Sequence, residues 1–468
     1  MRDIYASPFA ERYSSKEMLY AFSPDKRFKT WRRLWIALAE EEKKLGLPIT
    51  DEQIRELQAH AEDVDYEAAR RYEEKLKHDV MAHIRAYGDQ CPKAKGIIHL
   101  GATSMYVVDN TDLIVLREGY AIVERELVNV IAALAAFARK NADLPTVAFT
   151  HFQPAQFTTV GKRACLWLYD LLLDLDELEE RRRALRFLGV KGTTGTQASF
   201  LALFEGDEKK VKALDEAVTR AMGFDRAYAV SGQTYSRKVD AQAHAALSGI
   251  AQSAHKFAND LRLLQNLREV MEPFEEEQVG SSAMAYKRNP MKSERMTSLA
   301  RFVITLSTNA AFTAASQWFE RTLDDSAGKR IALPEAFLAA DAVLQLYLDV
   351  ASRLVVHPEV IAANVARELP AIATENLLME AVKAGGDRQD LHERIRRHTM
   401  EGQGRDLLER LKNDEAFKGV RARFDALSKP EQYVGRSASQ VREFLGEEVE
   451  PRLARRRGDL GMKAEVKV

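Results

Sequence analysis

One stretch of the chain separates two of its longest helical patterns, and the fold is organised around it. It reads Gly280-Ser281-Ser282-Ala283-Met284-Ala285-Tyr286-Lys287-Arg288-Asn289-Pro290-Met291-Lys292-Ser293-Glu294-Arg295. A helical pattern ends at Pro273 before it, and another begins after Pro290. The stretch contains a glycine, paired hydroxyls, a lysine and an Asn-Pro turn signal. Loops held between long rigid elements often carry chemistry, although this composition alone also fits a solvated linker.

Long amphipathic patterns lie on both sides of this loop. From Leu113 to Leu134 apolar residues recur every three or four positions, which indicates a helix. Candidate N-caps for it are Asn110, Thr111 and Asp112. Further helices are predicted at 159–187, from about 234 to Pro273, at 290–321, and from Pro334 to the residue before Pro358. The third of these five patterns would be on the order of 60 Å long if it were one helix.

Such helices cannot each bury an apolar stripe alone, so we expect an all-α fold with a central long-helix bundle that associates with other copies of the chain. We predict three domains: a mostly helical domain at 1–103, the central bundle with the loop 280–295 at 104–356, and a helical domain at 357–468. In the first, helices are predicted from Lys29 to Leu45, ending at Gly46, and from Thr50 to Ala61. In the last, short helices are expected between Pro370, Gly385-Gly386, Gly402 and Pro430. Strands are limited to short hairpins near 187–190 and 200–204.

Composition excludes several classes of protein. A net charge of -1 provides no overall field for nucleic acid or a membrane surface. No uninterrupted apolar run approaches the roughly 18 residues of a membrane span. Cys91 and Cys165 lie far apart, so a disulfide scaffold is not indicated. No secretory signal is visible in residues 1–20, and we expect a cytoplasmic protein without nucleic-acid or membrane partners.

Metal and nucleotide-triphosphate sites also lack support in the sequence. His392-Glu393 is not followed by a second histidine at metal-binding spacing, and the other histidines are dispersed. The glycine-rich segment Gly189 to Gly195 lacks the Gly-Lys-Ser/Thr ending of a phosphate-binding loop, so a tight turn explains it better. We therefore predict no metal site.

Three histidines stand out as candidates for acid–base chemistry. His151 lies in a loop next to Pro154, between a helix end and a helix start; His78 lies in Lys77-His78-Asp79; and His99 has glycines nearby. Most single histidines are structural. A loop histidine aimed into a cleft is better placed, because its near-neutral pKa suits proton donation to a leaving nitrogen.

Arginines at loop edges indicate an anion site. Ser326 and Arg330 are four residues apart and share one face of a helix. A guanidinium group with a hydroxyl suits a phosphate or carboxylate. The alternative is salt bridging to nearby acids. The arginines concerned are Arg12, Arg295, Arg321 and Arg330, and the acids are Glu320, Asp324 and Asp325.

Taken together, these segments resemble a known family. The loop at 280–290 is similar to the Gly-Ser-Ser-x-Met-Pro-x-Lys-x-Asn-Pro loop of the fumarase/aspartase superfamily. Within that superfamily the chain resembles the adenylosuccinate lyase family of the longer, animal-like type. The segments that carry this likeness are 77–83, 96–104, 150–156, 189–200, 232–240 and 318–326.

The resemblance implies an activity and an assembly. It implies cleavage of adenylosuccinate to AMP and fumarate, and of the succinylated aminoimidazole carboxamide ribotide (SAICAR) to its carboxamide (AICAR) and fumarate, by cofactor-independent C–N β-elimination. It also implies a homotetramer whose active sites are each built from three subunits. Another superfamily lyase, acting on argininosuccinate or fumarate, is the alternative, but those substrates lack a phosphate. A non-enzymatic helical scaffold is a further alternative, which an intact catalytic set argues against.

The same resemblance assigns roles to residues. His151 would be the general acid, oriented by Glu294; Ser281 the base, with Ser282 as competitor; and Lys287 would stabilise the aci-carboxylate intermediate. The phosphate would be held by Arg12, Tyr13, Arg321, Ser326 and Arg330. Other substrate contacts would come from Lys77, His78, Asp79, Thr103, Ser104, Gln233 and Arg295. The chain departs from the family at Ala285, usually proline, and at Lys77, arginine in its nearest relatives.

Overall fold

The computed structural model describes residues 3–401, 406–427 and 429–467, and helices dominate it, which confirms the predicted all-α class. Five long helices pack on one another as a central bundle, as predicted. They are α6 (Ser104–Lys140), α7 (Val160–Ala184), α10 (Lys238–Asn266), α11 (Met291–Ala315) and α12 (Asp324–Ser352). Aromatic side chains fill the interior between them: the rings of Phe257 and Tyr347 stack at 4.3 Å, and Trp167 meets Phe257 edge-on.

Shorter helices precede the bundle and punctuate it. They are α1 (Lys16–Ala21), α2 (Pro24–Lys44), α3 (Asp51–Ala59), α4 (Tyr66–Leu76), α5 (Asp79–Gln90), α8 (Ala198–Leu203) and α9 (Glu208–Ala221). The N-terminal predictions near α2 and α3 hold. Helix α2 ends just before Gly46, which has a φ of 101°, and Thr50 forms a capping box with Gln53.

Helix α6 begins earlier than predicted. Its N-cap is Thr103, and the predicted caps Asn110, Thr111 and Asp112 lie inside the helix. The reason is tertiary: the Asn110 side chain accepts a hydrogen bond from the Leu188 N–H at 2.9 Å and donates one to the Gly189 carbonyl. The Asn110 side chain therefore bonds a neighbouring segment instead of a helix end.

Two other bundle predictions are wrong at their ends. Helix α10 is 29 residues long, rather than continuous from about 234 to Pro273. Helix α12 begins at Asp324, and Pro334 lies inside it rather than at its start. A proline removes one backbone hydrogen bond, and the ion pairs made by Asp325 and Lys329 hold the turns that precede it.

The remaining helices follow the bundle. They are α13 (Pro358–Lys383), α14 (Arg388–Glu401), α15 (Leu407–Asn413), α16 (Phe424–Leu427), α17 (Ser437–Phe444) and α18 (Glu450–Arg455), with 3-10 turns at Glu415–Arg423, Pro430–Tyr433 and Arg457–Asp459. The glycine break at 385–386 is confirmed, since it separates α13 from α14. Pro370 does not separate helices but lies within the 26-residue α13. Gly402 falls outside the described residues.

Strands occur where they were not expected. An antiparallel hairpin is formed by β1 (Pro145–Thr150) and β2 (Gln153–Thr159), and a second small pair by β3 (Val270–Met271) and β4 (Val355–Val356). Both predicted hairpins are wrong: Phe187 makes only an isolated bridge to Ala227, and residues 200–203 belong to α8.

Helix α12 is also the most apolar part of the bundle. By length and composition it is the one helix of the described chain that could span a membrane. However, 83% of its most apolar 18-residue segment is buried inside the protein. Burial of that kind is typical of a core helix. The division into three domains and the association into a tetramer stay predictions.

Candidate active site

A cavity of about 680 Å³ opens beside the start of helix α6. The first turns of α5 and α12 and the segment before α10 complete its walls. Most of the predicted substrate-binding residues line it together: Lys77, His78, Asp79, Thr103, Ser104, Gln233, Arg321, Ser326 and Arg330.

The break between α4 and α5 directs one group of these side chains. Lys77 ends α4 in the left-handed conformation, with φ of 53°, which is strained for a residue other than glycine. His78 then caps α5, as its Nδ1 accepts from the Met81 N–H, so its Nε2 is turned toward the Ser104 hydroxyl 3.3 Å away. A strained break of this kind is typical of a functional site.

The start of α6, where the predicted substrate contacts Thr103 and Ser104 lie, borders the cavity. Thr103 is its N-cap, yet the Thr103 side chain makes no capping hydrogen bond. Thr103, Ser104 and Met105 line the cavity, so the start of this 37-residue helix borders it. Unsatisfied N–H groups and the positive end of the helix dipole favour a phosphate or carboxylate there.

On one side of the cavity, buried ion pairs hold the start of α12 against α6. Asp325, 1% exposed, accepts from Arg237 Nε at 2.6 Å and from Arg321 Nη1 at 2.9 Å. Arg237 in turn donates both terminal nitrogens to Asp109 at 3.0 and 3.1 Å. The predicted alternative for Arg321, a salt bridge to an adjacent acid, is therefore present, but it orients the guanidinium group while Arg321 still lines the cavity.

Lys329 is a further cation on the same side of the cavity. Its ammonium lies 2.8 Å from Asp112 Oδ2 and 2.7 Å from the Tyr235 hydroxyl, and its side chain is 9% exposed. Although burial opposes it, Lys329 helps to hold the pKa of Asp112 below its usual value. Burial raises the pKa of nearby Asp240, which receives a hydrogen bond from Tyr235.

The mouth of the cavity is bridged by Asp79 and Arg330. Arg330 Nη2 lies 2.6 Å from Asp79 Oδ2, and although burial opposes it, this guanidinium lowers the Asp79 pKa. Gln233 reaches the cavity from a segment packed tightly on the glycine-rich stretch. Gly195, with φ of 83°, lies so close to Ser231 that a Cβ would come 1.9 Å from that carbonyl oxygen. This glycine therefore serves backbone packing.

Arg12, Tyr13 and Arg295 do not line the large cavity. Within the described chain they share a separate small pocket with the last described residues, Val466 and Lys467. One subunit therefore divides the predicted phosphate-binding set between two places.

The loop at 280–290 is held at its base by side-chain hydrogen bonds to its backbone. Asn289 Nδ2 donates to the Gly280 carbonyl at 2.8 Å, and Gln265 donates to the Arg288 carbonyl at 3.0 Å. Glu272 accepts from the Lys292 and Ser293 N–H groups, which caps α11. Between these hydrogen-bonded ends the loop is exposed, including Ala285 and Lys287.

The two serines of the loop differ in their contacts. Ser281 Oγ accepts hydrogen bonds from the N–H groups of Met284 at 3.1 Å and Ala283 at 3.4 Å. Within the described residues no comparable contact is found for the Ser282 hydroxyl, which is exposed. Backbone donors aimed at an oxygen stabilise negative charge on it, so this arrangement favours Ser281 as the residue that ionises.

His151 stands at the tip of the β1–β2 hairpin, not between two helices. His151 and Phe152 have φ of 55° and 56°, as a two-residue type I′ turn requires, without the usual glycine or asparagine. The imidazole is exposed, and the described contacts include none for it. Glu294, its predicted partner, lies 3.8 Å from Arg262 instead. In one chain, His151, Ser281, Lys287 and Glu294 all lie outside the lining of the large cavity.

His99 has a structural environment. Its Nδ1 accepts a hydrogen bond from Trp35 Nε1 at 2.9 Å, and burial lowers its pKa to about 4. It is therefore neutral at physiological pH and supports the segment that leads to Thr103.

Comparisons with known proteins identify the family of the chain. A family model described as "Lyase" matches residues 47–305, and one described as "Adenylosuccinate lyase C-terminus" matches residues 370–444. Adenylosuccinate lyase from Saccharomyces cerevisiae is 53% identical over 96% of this chain and 95% of its own length. The chain belongs to the adenylosuccinate lyase family. The enzyme from Schizosaccharomyces pombe is 50% identical over 96% of both chains.

Solved structures agree on the fold. A 3-carboxy-cis,cis-muconate lactonizing enzyme from Pseudomonas putida aligns with a TM-score of 0.84 at 22% identity, covering 96% of this chain and 100% of its own. A fumarate lyase from Mesorhizobium sp. BNC1 aligns with a TM-score of 0.82 at 23% identity, covering 95% of this chain and 100% of its own. At this identity the likeness concerns the fold alone. It confirms the fumarase/aspartase-like architecture of this adenylosuccinate lyase family member.

Several cavity residues of this family member were not predicted from sequence. They are Arg27, Asp109, Asp112, Arg237, Asp325 and Lys329. Most lie inside long helices, where a charged residue is normally interpreted as part of a solvent-exposed face. The available signal was the position of Asp109 and Asp112 among apolar residues of α6, which marks buried acids that require cationic partners.

Proposed function

We propose that the chain cleaves adenylosuccinate to AMP and fumarate, and SAICAR to AICAR and fumarate, by C–N β-elimination. The observation that carries the proposal is the cavity itself, where the open N-terminus of α6 faces Arg321, Ser326 and Arg330. Such a site suits a phosphorylated, polyanionic substrate. Argininosuccinate and fumarate carry no phosphate to occupy it.

The reaction needs one base, one acid and one anion-stabilising cation. Ser281, as alkoxide, takes the proton from the succinyl β-carbon, and the electron pair moves into the adjacent carboxylate as an aci-carboxylate. The Ala283 and Met284 N–H groups support the alkoxide. Lys287 stabilises the additional negative charge. When the electron pair returns, the C–N bond breaks and His151 protonates the leaving nitrogen, which gives fumarate and the amine product.

The site is completed by other copies of the chain. Support comes from the exposed position of His151 on a strained hairpin tip, and from an exposed loop that carries Ser281 and Lys287. The strands of the hairpin pack on α13, and its exposed titratable tip is suited to enter a cleft of another subunit. We therefore propose a homotetramer in which the hairpin, the loop and the cavity meet from three subunits, with Glu294 orienting His151 there.

The proposed partners are small molecules, with no nucleic acid and no membrane, and the proposed location is the cytoplasm. Both cysteines are free thiols, which fits a reducing compartment. No step above needs a metal or an organic cofactor.

Product analysis tests the proposal. Purified protein is incubated separately with adenylosuccinate, SAICAR and argininosuccinate, and fumarate and the amine products are quantified by chromatography. We expect AMP and fumarate in equal amounts from adenylosuccinate, and none from a His151→Ala variant. Fumarate released only from argininosuccinate would overturn the substrate assignment, and none from any substrate would overturn the activity.

A further inference from the structure

We infer that residues 460–467, here called the strap, form a positioning element that holds Arg12 and Tyr13 in place for the substrate phosphate. This inference rests on the proposed function, because it assigns the strap to the same site. It follows from three sets of contacts, which tie the strap to the residues next to Arg12 and Tyr13.

The strap is extended and alternates along its length. Met462, Ala464 and Val466 are partly buried and pack on the core, while Lys463 and Lys467 are exposed. Its start is anchored to α6, where Asn129 Oδ1 accepts the Gly461 and Met462 N–H groups at 3.0 and 3.1 Å. This pattern fixes the register of the strap, since a shift by one residue would expose its three apolar side chains.

A buried polar relay leads from the strap to Ser15. The Glu465 N–H donates to Gln345 Oε1 at 2.7 Å, and Gln345 Nε2 donates to Glu126 Oε1 at 2.7 Å. Glu126 shares a hydrogen bond with Asp341. Asp341 then accepts both the N–H and the hydroxyl of Ser15 at 2.7 Å.

The two acids of the relay are buried. Burial and the neighbouring Asp341 raise the pKa of Glu126 well above its ordinary value. Burial also raises the pKa of Asp341, whose two oxygens accept from the N–H and the hydroxyl of Ser15. The relay thus links the strap to Ser15 through buried side chains of α6 and α12.

The far end of the strap touches the same segment directly. Lys467 Nζ donates to the Ser14 carbonyl at 2.8 Å, and the Ser14 hydroxyl donates to the Leu338 carbonyl at 2.9 Å. Val466 and Lys467 also line the small pocket that contains Arg12, Tyr13 and Arg295. Ser14 and Ser15 are thus held on both sides, immediately after the pair proposed to bind phosphate.

The arrangement accounts for how Arg12 is positioned although it is exposed. Arg12 and Tyr13 lie in a single π-helical turn, Phe9–Tyr13, too short to be stable alone. Its C-terminal side is fixed by Ser14 and Ser15, whose partners are α12 and the strap. Loosening the strap should therefore cost phosphate affinity rather than the chemical step.

The test compares two lysines of the strap. Lys467→Met removes the bond to Ser14 and keeps the side-chain stem, whereas Lys463→Met changes an exposed neighbour for which the described residues show no polar contact. A third variant ends the chain at Met462. Steady-state kinetics are measured with adenylosuccinate and with succinyladenosine, which lacks the phosphate, and thermal midpoints are recorded for each protein.

For adenylosuccinate we expect KM to rise about tenfold in Lys467→Met, as for loss of one charge-assisted hydrogen bond, with kcat within about twofold, and a larger rise in the shortened chain. With succinyladenosine the parent and Lys467→Met should have the same KM, and Lys463→Met should match the parent on both substrates. If the shortened chain does not fold, Lys467→Met decides the matter.

An active parent with an unchanged adenylosuccinate KM in Lys467→Met contradicts the strap proposal alone. Equal losses on both substrates also contradict it, because they indicate a merely structural role. A parent that does not cleave adenylosuccinate contradicts the proposed function, and the strap proposal falls with it.

Discussion

Arg330 donates a hydrogen bond to Asp79 over 2.6 Å, which links the second turn of α12 to the first turn of α5 across the mouth of the cavity. Both residues were predicted to contact substrate. In the free chain they satisfy each other, so an incoming phosphate has to compete with Asp79 for the Arg330 guanidinium. The pair therefore keeps Arg330 extended and correctly directed until substrate arrives.

Arg330→Ala should weaken substrate binding more than it slows chemistry. It removes the proposed charge-assisted contact to phosphate, worth about 1.5–3 kcal/mol, so KM for adenylosuccinate should rise roughly 10- to 100-fold. Arg70→Ala is the control, because Arg70 pairs with two acids on an exposed helix face and does not itself line the cavity. Initial-rate kinetics check the prediction, and an unchanged KM in Arg330→Ala would remove Arg330 from the phosphate site.

The two loop serines should respond very differently to substitution. Ser281→Ala removes the hydroxyl that receives the Met284 N–H, so kcat should fall about 10²- to 10⁴-fold, the usual share of a catalytic base. Ser282→Ala should change kcat only a few fold. Pre-steady-state and steady-state rates on adenylosuccinate measure both. A larger loss in Ser282→Ala would transfer the role of base to Ser282.

Much of the fold follows from sequence periodicity, because a long apolar stripe at helical spacing requires partners. Helix ends are harder to predict. Asn110, Thr111 and Asp112 look like caps, but they lie inside α6, where Asn110 bonds the distant segment near Gly189 and Asp112 pairs with Lys329. The hairpin that carries His151 was missed for a related reason, since its turn lacks the glycine or asparagine that normally marks such a turn.

The site could be predicted in part. Motif resemblance identified residues that the fold brings to one cavity, such as Lys77, Ser104 and Arg330. It did not reveal Lys329 or Arg237, whose role is to orient other groups within the chain. His151 does not line the cavity of its own chain, and its placement there depends on the proposed assembly.

Glu42 should make stability fall as pH rises. It is fully buried in α2, neither carboxylate oxygen has a partner among the described residues, and burial raises its pKa to about 8. Between the ordinary glutamate pKa and about 8 the folded state holds a proton that the unfolded state has lost. The stabilisation linked to this proton therefore declines through this range, by at most about 1.4 kcal/mol per pH unit, and is absent above it.

Glu42→Gln removes this ionisation. Relative to the parent, its thermal midpoint should rise as the buffer changes from about pH 5 to about pH 8.5. Glu40→Gln, on the same helix and partly exposed, is the control and should show no such trend. A parent-to-variant difference for Glu42→Gln that does not depend on pH would show that Glu42 is not a buried neutral acid.

Subunit mixing tests the central claim most directly, namely that adenylosuccinate is cleaved in sites completed by several copies of the chain. His151→Ala and Ser281→Ala proteins are each assayed alone, then dissociated together, reassembled and assayed again. Each alone should be nearly inactive, and random reassembly should restore roughly a quarter of the parent activity, because some sites then receive both native residues from different subunits. A mixture that stays as inactive as its components would contradict a site shared between subunits.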